Sequence, residues 1–215
     1  MKSKVLDILA QALRYSFPHV GPRQAERMAL KLLVLREEEF NHLTDSMTQA
    51  RRRITRCDLC QDLTESKRCK ICANPERNHG VVCVVENPQD VEAIEASRSY
   101  FGLYHVLHGS LEPKMETGLA GPGGLTLESL WTRLEGDPLI QEVILALDYD
   151  TRGELTSLYL TREIKKNFPS LKLTRIGGGL PFGGEVLYMD PATLRQALQA
   201  RIDLNRQADK AEIGA

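Results

Sequence analysis

The sequence predicts an α/β chain in several parts whose central domain carries a mainly parallel sheet. Three observations lead there. Continuous β-branched runs, Val81 to Val85 and Val143 to Leu147, are of the kind found in strands buried on both faces. Stretches with apolar residues at helical spacing alternate with them, as in strands joined by crossover helices. Upstream, a pair of helical stretches and a polar segment with four cysteines form smaller parts of their own. At 215 residues, with 42% apolar and 27% charged side chains, the composition is that of a soluble globular protein with one large domain or two small ones. No run approaches the length of a membrane span, and the start, MKSKVLDILAQALRYSF, has no signal-peptide cleavage site, so a cytoplasmic location is expected.

Val5, Ile8, Leu9, Ala12 and Leu13 recur at helical spacing, which predicts an amphipathic helix over 2–15. Phe17-Pro18-His19-Val20-Gly21-Pro22 breaks it in a tight turn, and Pro22 suits a first helical position. A second helix is expected over 23–40, with Ala25, Met28, Ala29, Leu32 and Leu33 turned inward. After the cysteines, a turn at Asn74-Pro75-Glu76 precedes the first strand, which ends on Glu86. Asn87-Pro88 starts a helix carrying Val91, Ile94 and Ala96, and Tyr104-His105-Val106-Leu107 is a second strand. The Gly/Pro-rich stretch 109–124 reads as a long loop. A helix around 125–134 leads to a third strand, Glu142 to Leu147, ended by Asp148-Tyr149-Asp150. Gly153 and a helix over 154–166 follow, then a fourth strand from Leu171 to Ile176. The residues past Leu204 read as a frayed tail.

The cysteines have a spacing with chemical meaning. Cys57-Asp58-Leu59-Cys60 and Cys69-Lys70-Ile71-Cys72 stand eight residues apart. Each Cys-x-x-Cys pair can put two sulfurs on one ion, and two such knuckles complete a tetrahedral zinc site with no open position for substrate. Cys57, Cys60, Cys69 and Cys72 are therefore expected to bind one structural Zn²⁺ per chain, which holds shape and does no chemistry. Two disulfides, or four ordinary cysteines, are the alternatives; in a chain without a signal peptide, disulfides are the poorer reading. Cys83, inside an apolar run, reads as a core residue.

The net charge of −1 hides an uneven distribution. Residues 1–56 hold 11 basic and 6 acidic side chains, whereas residues 81–215 hold 13 and 19. A nucleic-acid contact is therefore expected at the front, and cations or a basic protein partner at the rear. A helix, a short loop with Gly21 and a second helix resemble a helix-hairpin-helix. In that motif, hairpin amides and the second helix's N-terminus hold phosphate oxygens without reading sequence. Arg23 and Arg27, one turn apart on one face, would extend that grip on DNA. His19 stands where the motif usually has its first glycine. Arg51-Arg52-Arg53 and Arg56 add to the basic front.

Glu86 at the end of one strand, and Asp148-x-Asp150-x-x-Gly153 at the end of a later one, resemble the Toprim domain of topoisomerases, primases and some nucleases. Three carboxylates at the carboxyl ends of neighbouring parallel strands meet in the crevice where α/β sheets bind ligands. Oxygen ligands of this kind favour Mg²⁺, so Glu86, Asp148 and Asp150 are the candidate Mg²⁺ residues. The order of parts, with the strings CDLCQDLTESKRCKIC, VVCVVENPQDVEAIEASRSYFGLYHVLHGSLEP and LTRIGGGLPFGGEVLYMDPATLRQAL, resembles the RecR family of bacterial recombination mediators over nearly the whole chain.

That resemblance implies a layout: a helix-hairpin-helix region over 1–54, a four-cysteine zinc finger over 55–78, a Toprim-like domain over 79–175, a Gly-rich segment and C-terminal helix over 176–204, and a tail over 205–215. It implies a non-enzymatic, DNA-binding role in recombinational repair. It implies ring-like homo-oligomers, tetramer or dimer, and work with RecO-like and RecF-like proteins to load recombinase at gaps and breaks. Two strings depart from the family form: Asp148-Tyr149-Asp150, where an Asn-Pro-Thr-like string is common, and the segment 112–124. The competing class is an enzyme, a metal-dependent phosphodiesterase or primase-like protein using Glu86, Asp148 and Asp150. Tyr149, a lone tyrosine at a strand end, reads as packing. Gly177–Gly179, Gly183 and Gly184 lack the Gly-Lys-Ser/Thr of a phosphate loop and read as a flexible segment.

Overall fold

The computed structural model describes residues 3–17, 19–114, 118–120, 125–177 and 186–199. Contacts divide the chain into two compact units, Met1–Thr55 and Arg56–Ala215.

In the first unit, Lys4–Ser16 (α1) and Pro22–Leu33 (α2) pack as a helical hairpin, and Glu37–Arg53 (α3) follows. Pro22 opens α2 with Gly21 as its N-cap, as the turn predicts. The single helix expected over 23–40 is instead two. Val34 leaves the ladder, bonding back to Lys31 O, and Arg36 restarts it: its backbone N–H donates to Glu39 Oε2 at 3.1 Å. Glu37, Glu38 and Glu39 occupy the first turn of α3 and Arg51, Arg52 and Arg53 its last. Each sign sits at the end that the helix dipole favours, and that ordering is what makes 37–53 a separate helix. Ala25 and Ala29 are the buried residues of α2. Met28 and Leu32 are half-buried, while Leu33 is exposed, against expectation.

A ribbon of Thr55–Arg56 (β1), at the boundary of the two units, and Leu63–Thr64 (β2) accompanies the cysteine segment. In chain order there follow Asn78–Val85 (β3), Pro88–Ser97 (α4), Gly102–Val106 (β4), Glu112–Lys114 (β5) and Gly118–Ala120 (β6). Then come Leu127–Gly136 (α5), Glu142–Ala146 (β7), Thr151–Asn167 (α6), Lys172–Arg175 (β8) and Pro191–Gln199 (α7). The expected α/β architecture is present: β4-β3-β7-β8 form a sheet, parallel at every pairing.

Side chains alternate across a strand, and here both faces are covered. Val82, Val84, Val143 and Leu145 pack on one face against Leu130 and Leu134 of α5 and Leu160 and Ile164 of α6. Cys83, Val85, Tyr104 and Val106 pack on the other with Val91 of α4, and Ile71 from the cysteine segment joins them. Double coverage explains the unbroken apolar runs, and Cys83 is a core residue as expected. From β3 the chain steps to β4 on one side and then returns to β7 and β8 on the other. The order therefore reverses between β3 and β7, the switch point where ligands bind in such sheets.

The expected loop over 109–124 contains a hairpin instead, with Glu112 opposite Ala120 and Lys114 opposite Gly118. Strands of three residues are too short to display a period, and Pro113 masks the first; proline is tolerated because each strand of a two-stranded ribbon is an edge. Residues 115–117 and 121–124, Gly178, Gly179, Gly183, Gly184 and the tail lie outside the described residues.

A charged network ties α4 to the sheet. Arg77 donates from both Nη atoms to Glu95, at 3.1 and 2.6 Å, and from Nε to Gly102 O at 3.0 Å; Tyr104 Oη donates to the same carboxylate at 2.6 Å. Burial pushes the Glu95 carboxyl up, but the bonds from Arg77 and Tyr104 outweigh it and leave it below the usual carboxylate range. A carboxyl lowered by folding contributes stability above its unfolded value of about 4.3, and the contribution is lost as pH falls through the folded value. Glu95→Gln is expected to cost about 2 kcal/mol near neutral pH. It is also expected to flatten the loss of stability that the wild type undergoes below about pH 4. Urea melts of both proteins across that range check the two slopes.

Candidate functional site

Three candidate sites can be built from the residues upward. The first is the cysteine segment, where two tight turns bring the thiols inward. Cys57, Cys60, Cys69 and Cys72 are all buried, all unbridged, and their sulfurs lie within 4.8 Å of one another. Cys60 Sγ and Cys69 Sγ are 3.5 Å apart. A disulfide would require about 2.05 Å. The edge of a tetrahedron with zinc–sulfur bonds of about 2.3 Å is roughly 3.8 Å, so the quartet fits a four-coordinate ion. Backbone N–H groups of Cys69 and Cys72 donate to Cys57 Sγ at 3.3 Å and Cys69 Sγ at 3.4 Å, which favours thiolates. Hydrogen bonding within the cluster pulls Cys69 down and pushes Cys60 up. Four thiolates at this range repel one another, and a divalent cation is the group that lets them coexist. Among the described residues, this is the group of three or more potential ligands whose atoms all converge.

The second is the crevice at the switch point. Glu86 follows β3 and is 5% exposed; its Oε1 accepts the backbone N–H of Asp148, just past β7, at 3.1 Å. Asp150 is the N-cap of α6, with Oδ1 accepting Gly153 N–H at 2.7 Å. The three expected carboxylates thus share one end of the sheet, held by backbone bonds more than by converged oxygens. Burial, followed by repulsion from Asp148, Asp150 and Asp90, raises the Glu86 carboxyl despite the Asp148 bond. Burial and the same acidic neighbours raise Asp148. Gly153 is required by proximity: a Cβ there would lie 2.1 Å from Asp148 O and 2.9 Å from Glu86 Oε1.

Asp90 belongs to this anionic set and sequence reasoning passed over it. Its Oδ2 accepts Asn87 N–H at 2.7 Å at the start of α4, a capping box legible in Asn87-Pro88-Gln89-Asp90. Tyr149 packs, as expected: Arg175 stacks on its ring at 4.6 Å, and its hydroxyl donates to Ile176 O. Arg175 is also paired with Glu154 at 2.7 Å, and Arg152 with Glu112 at 3.0 Å.

The third is the start of α2. Arg23 and Arg27 are exposed on one face, beside an open hollow lined by Gly21, Pro22, Arg23, Gln24 and Arg27. Space is open around Gly21, so backbone approach there is unobstructed.

Comparison with known proteins joins these parts. Residues 80–177 match the Toprim domain family and residues 179–202 match the family described as RecR, C-terminal. The chain is 42% identical over 184 residues to Recombination protein RecR of Bifidobacterium longum subsp. infantis, covering 86% of this chain and 89% of that protein. It is 41% identical to the protein of the same name from Bifidobacterium longum, with the same coverage. Against that of Bifidobacterium animalis subsp. lactis it is 39% identical, over 86% of this chain and 90% of the other. With a Toprim domain on a parallel sheet, a convergent four-cysteine cluster and this likeness along most of its length, the chain belongs to the RecR family of recombination proteins.

Proposed function

We propose that this chain is a non-enzymatic mediator of recombinational repair that binds DNA and works in the cytoplasm with RecO-like or RecF-like proteins at gaps and breaks. The observation that carries the reading is the likeness of most of the chain to RecR proteins. The crevice supports it: Glu86 and Asp150 are each engaged with a backbone amide, and Tyr149 is held by Arg175 and Ile176, so none stands free as a nucleophile. Assembly into a homo-oligomeric ring, tetramer or dimer, accompanies this reading. The first unit carries an apolar groove of about 800 Å³ lined by Leu9, Leu13, Met28, Leu32, Phe40 and Met47 among others, a surface suited to other copies. A ring multiplies the basic front of a chain whose net charge is near zero.

Cys57, Cys60, Cys69 and Cys72 are assigned to Zn²⁺, which when bound closes the knuckle and leaves no position for substrate. Metal analysis of purified protein is expected to return about one zinc per chain. Cys60→Ser is expected to lose it and to melt earlier. Protein free of metal, with disulfides intact by mass spectrometry, overturns the assignment.

Arg23, Arg27 and the amides at the start of α2 are assigned to DNA phosphates. Replacing both arginines with alanine is expected to weaken binding to all sequences alike and to flatten the salt dependence by about two phosphate contacts. A folded double variant with unchanged affinity and slope removes them from the interface.

For the crevice, a cation contact is assigned to Glu86, Asp148 and Asp150. Crowded carboxyls raised by burial and mutual repulsion favour a cation, and hydrated Mg²⁺ needs just one or two of them directly. Calorimetric Mg²⁺ titration is expected to give smaller heats for Asp148→Asn/Asp150→Asn than for wild type, and labelled gapped DNA is expected to stay intact. Equal heats end the cation reading. Cleavage that disappears in the double variant places the protein among metal-dependent nucleases instead.

A further inference from the structure

Arg133 of α5 is a buried charge that its own bonds do not explain. It is 5% exposed; Nη1 donates to Tyr104 O at 2.6 Å, while Nε and Nη2 have no partner among the described residues. A guanidinium taken out of water without an opposing charge is strongly unfavourable. The carboxylate of Asp137 acts on it, but Nε and Nη2 of Arg133 remain without a hydrogen-bond partner among the described residues. Its other neighbour, His105, is fully buried with Nε2 against Thr126 O at 3.1 Å and Nδ1 unpartnered. Burial and then the charge of Arg133 lower that imidazole to about 3, so it is neutral and supplies no counter-charge.

The opposing charge lies across the sheet edge. β4 is the outermost strand, and two of its backbone groups bond away from β3. Tyr104 O accepts from Arg133, and Val106 N–H donates to Cys60 O at 2.8 Å. The guanidinium and the knuckle therefore dock on the same edge, two residues apart. Burial lowers the Arg133 guanidinium, and the negative charges of Cys72 and Cys60, ahead of Asp137, oppose that shift. Four thiolates around Zn²⁺ carry a net charge of about −2. With the ion bound, a buried anion and a buried cation would share this strand edge, and each would offset the desolvation of the other.

We propose that Arg133 is the counter-cation of the four-cysteine metal centre, a positioning residue that stabilises the anionic metal–thiolate cluster through space from the Toprim domain. The proposal rests on the zinc assignment above. Coupling is reciprocal: a centre favoured by Arg133 also favours burial of Arg133, so stripping the metal leaves the guanidinium uncompensated. Loss of metal and loss of the arginine should therefore be non-additive.

The test uses the full chain as wild type, Arg133→Met, Arg133→Gln and Arg133→Lys, each loaded with Zn²⁺ or Co²⁺. Outer-shell partners typically contribute 10- to 100-fold to metal affinity. Competition with a chelator is expected to show Arg133→Met and Arg133→Gln binding metal about tenfold more weakly, with Arg133→Lys close to wild type. The thiolate-to-Co²⁺ charge-transfer bands should shift in the two neutral variants and not in Arg133→Lys. Chelator should lower Tm less in the neutral variants than in wild type. Should Arg133→Met fail to fold, the comparison of Arg133→Gln with Arg133→Lys decides alone, since they differ in charge at one position. Equal affinities, spectra and Tm losses in these two overturn the proposal while leaving zinc in place. Wild type that takes up no metal overturns the zinc assignment and this proposal together.

Discussion

An exposed strand edge is a hazard in any open sheet, because its unpaired backbone groups invite other chains. The bond from Val106 N–H to Cys60 O, at 2.8 Å, closes that edge here. The cysteine segment is thus fixed to β4 and is no free appendage. His108 Nε2 meets Gln61 O at 2.6 Å, and Ile71 packs both into the cysteine cluster and into the core layer of Cys83, Val85 and Tyr104. Gln61 and His108, the two residues of that contact, both adopt left-handed backbone, with φ of 64° and 60°. Non-glycine residues hold such angles where surrounding structure over-determines them, which locates the joint between knuckle and sheet.

What was legible in the sequence follows from the range of the interactions involved. The cysteine quartet, Pro22 and Asn87-Pro88 act over a few residues, so spacing alone reveals them. The β-branched runs were legible because both faces of the sheet are buried and no polar alternation blurs them. The break at Val34 to Arg36 was not, since apolar spacing continues through it and the restart rests on the bonds between Arg36 and Glu39 and on the acidic first turn of α3. The hairpin within 109–124 was hidden by strands of three residues. Arg133 was the least visible of all. In sequence it is one cation on an amphipathic helix, and its burial is decided by strand β4 and the knuckle, both distant along the chain.

The crevice carboxylates serve as scaffold as well as site. Glu86 bridges the gap between β3 and β7 by accepting Asp148 N–H, and Asp150 caps α6. Gly153 lets the first turn of α6 press against Asp148 O, so the helix start and both strand ends form one tight corner. Backbone bonds use part of the accepting capacity of Glu86 and Asp150 and leave their charge in place. The result is an anionic corner in which Glu86 and Asp150 are aimed at amides first.

Charge placement then distinguishes the parts of the molecule by what each can attract. The acidic corner at the switch point has its neighbouring cations committed, Arg175 to Glu154 and to the Tyr149 ring, Arg152 to Glu112. Such a corner disfavours anions and favours cations or basic side chains. The helical unit differs in sign, since residues 1–56 hold 11 basic and 6 acidic side chains while residues 81–215 hold 13 and 19.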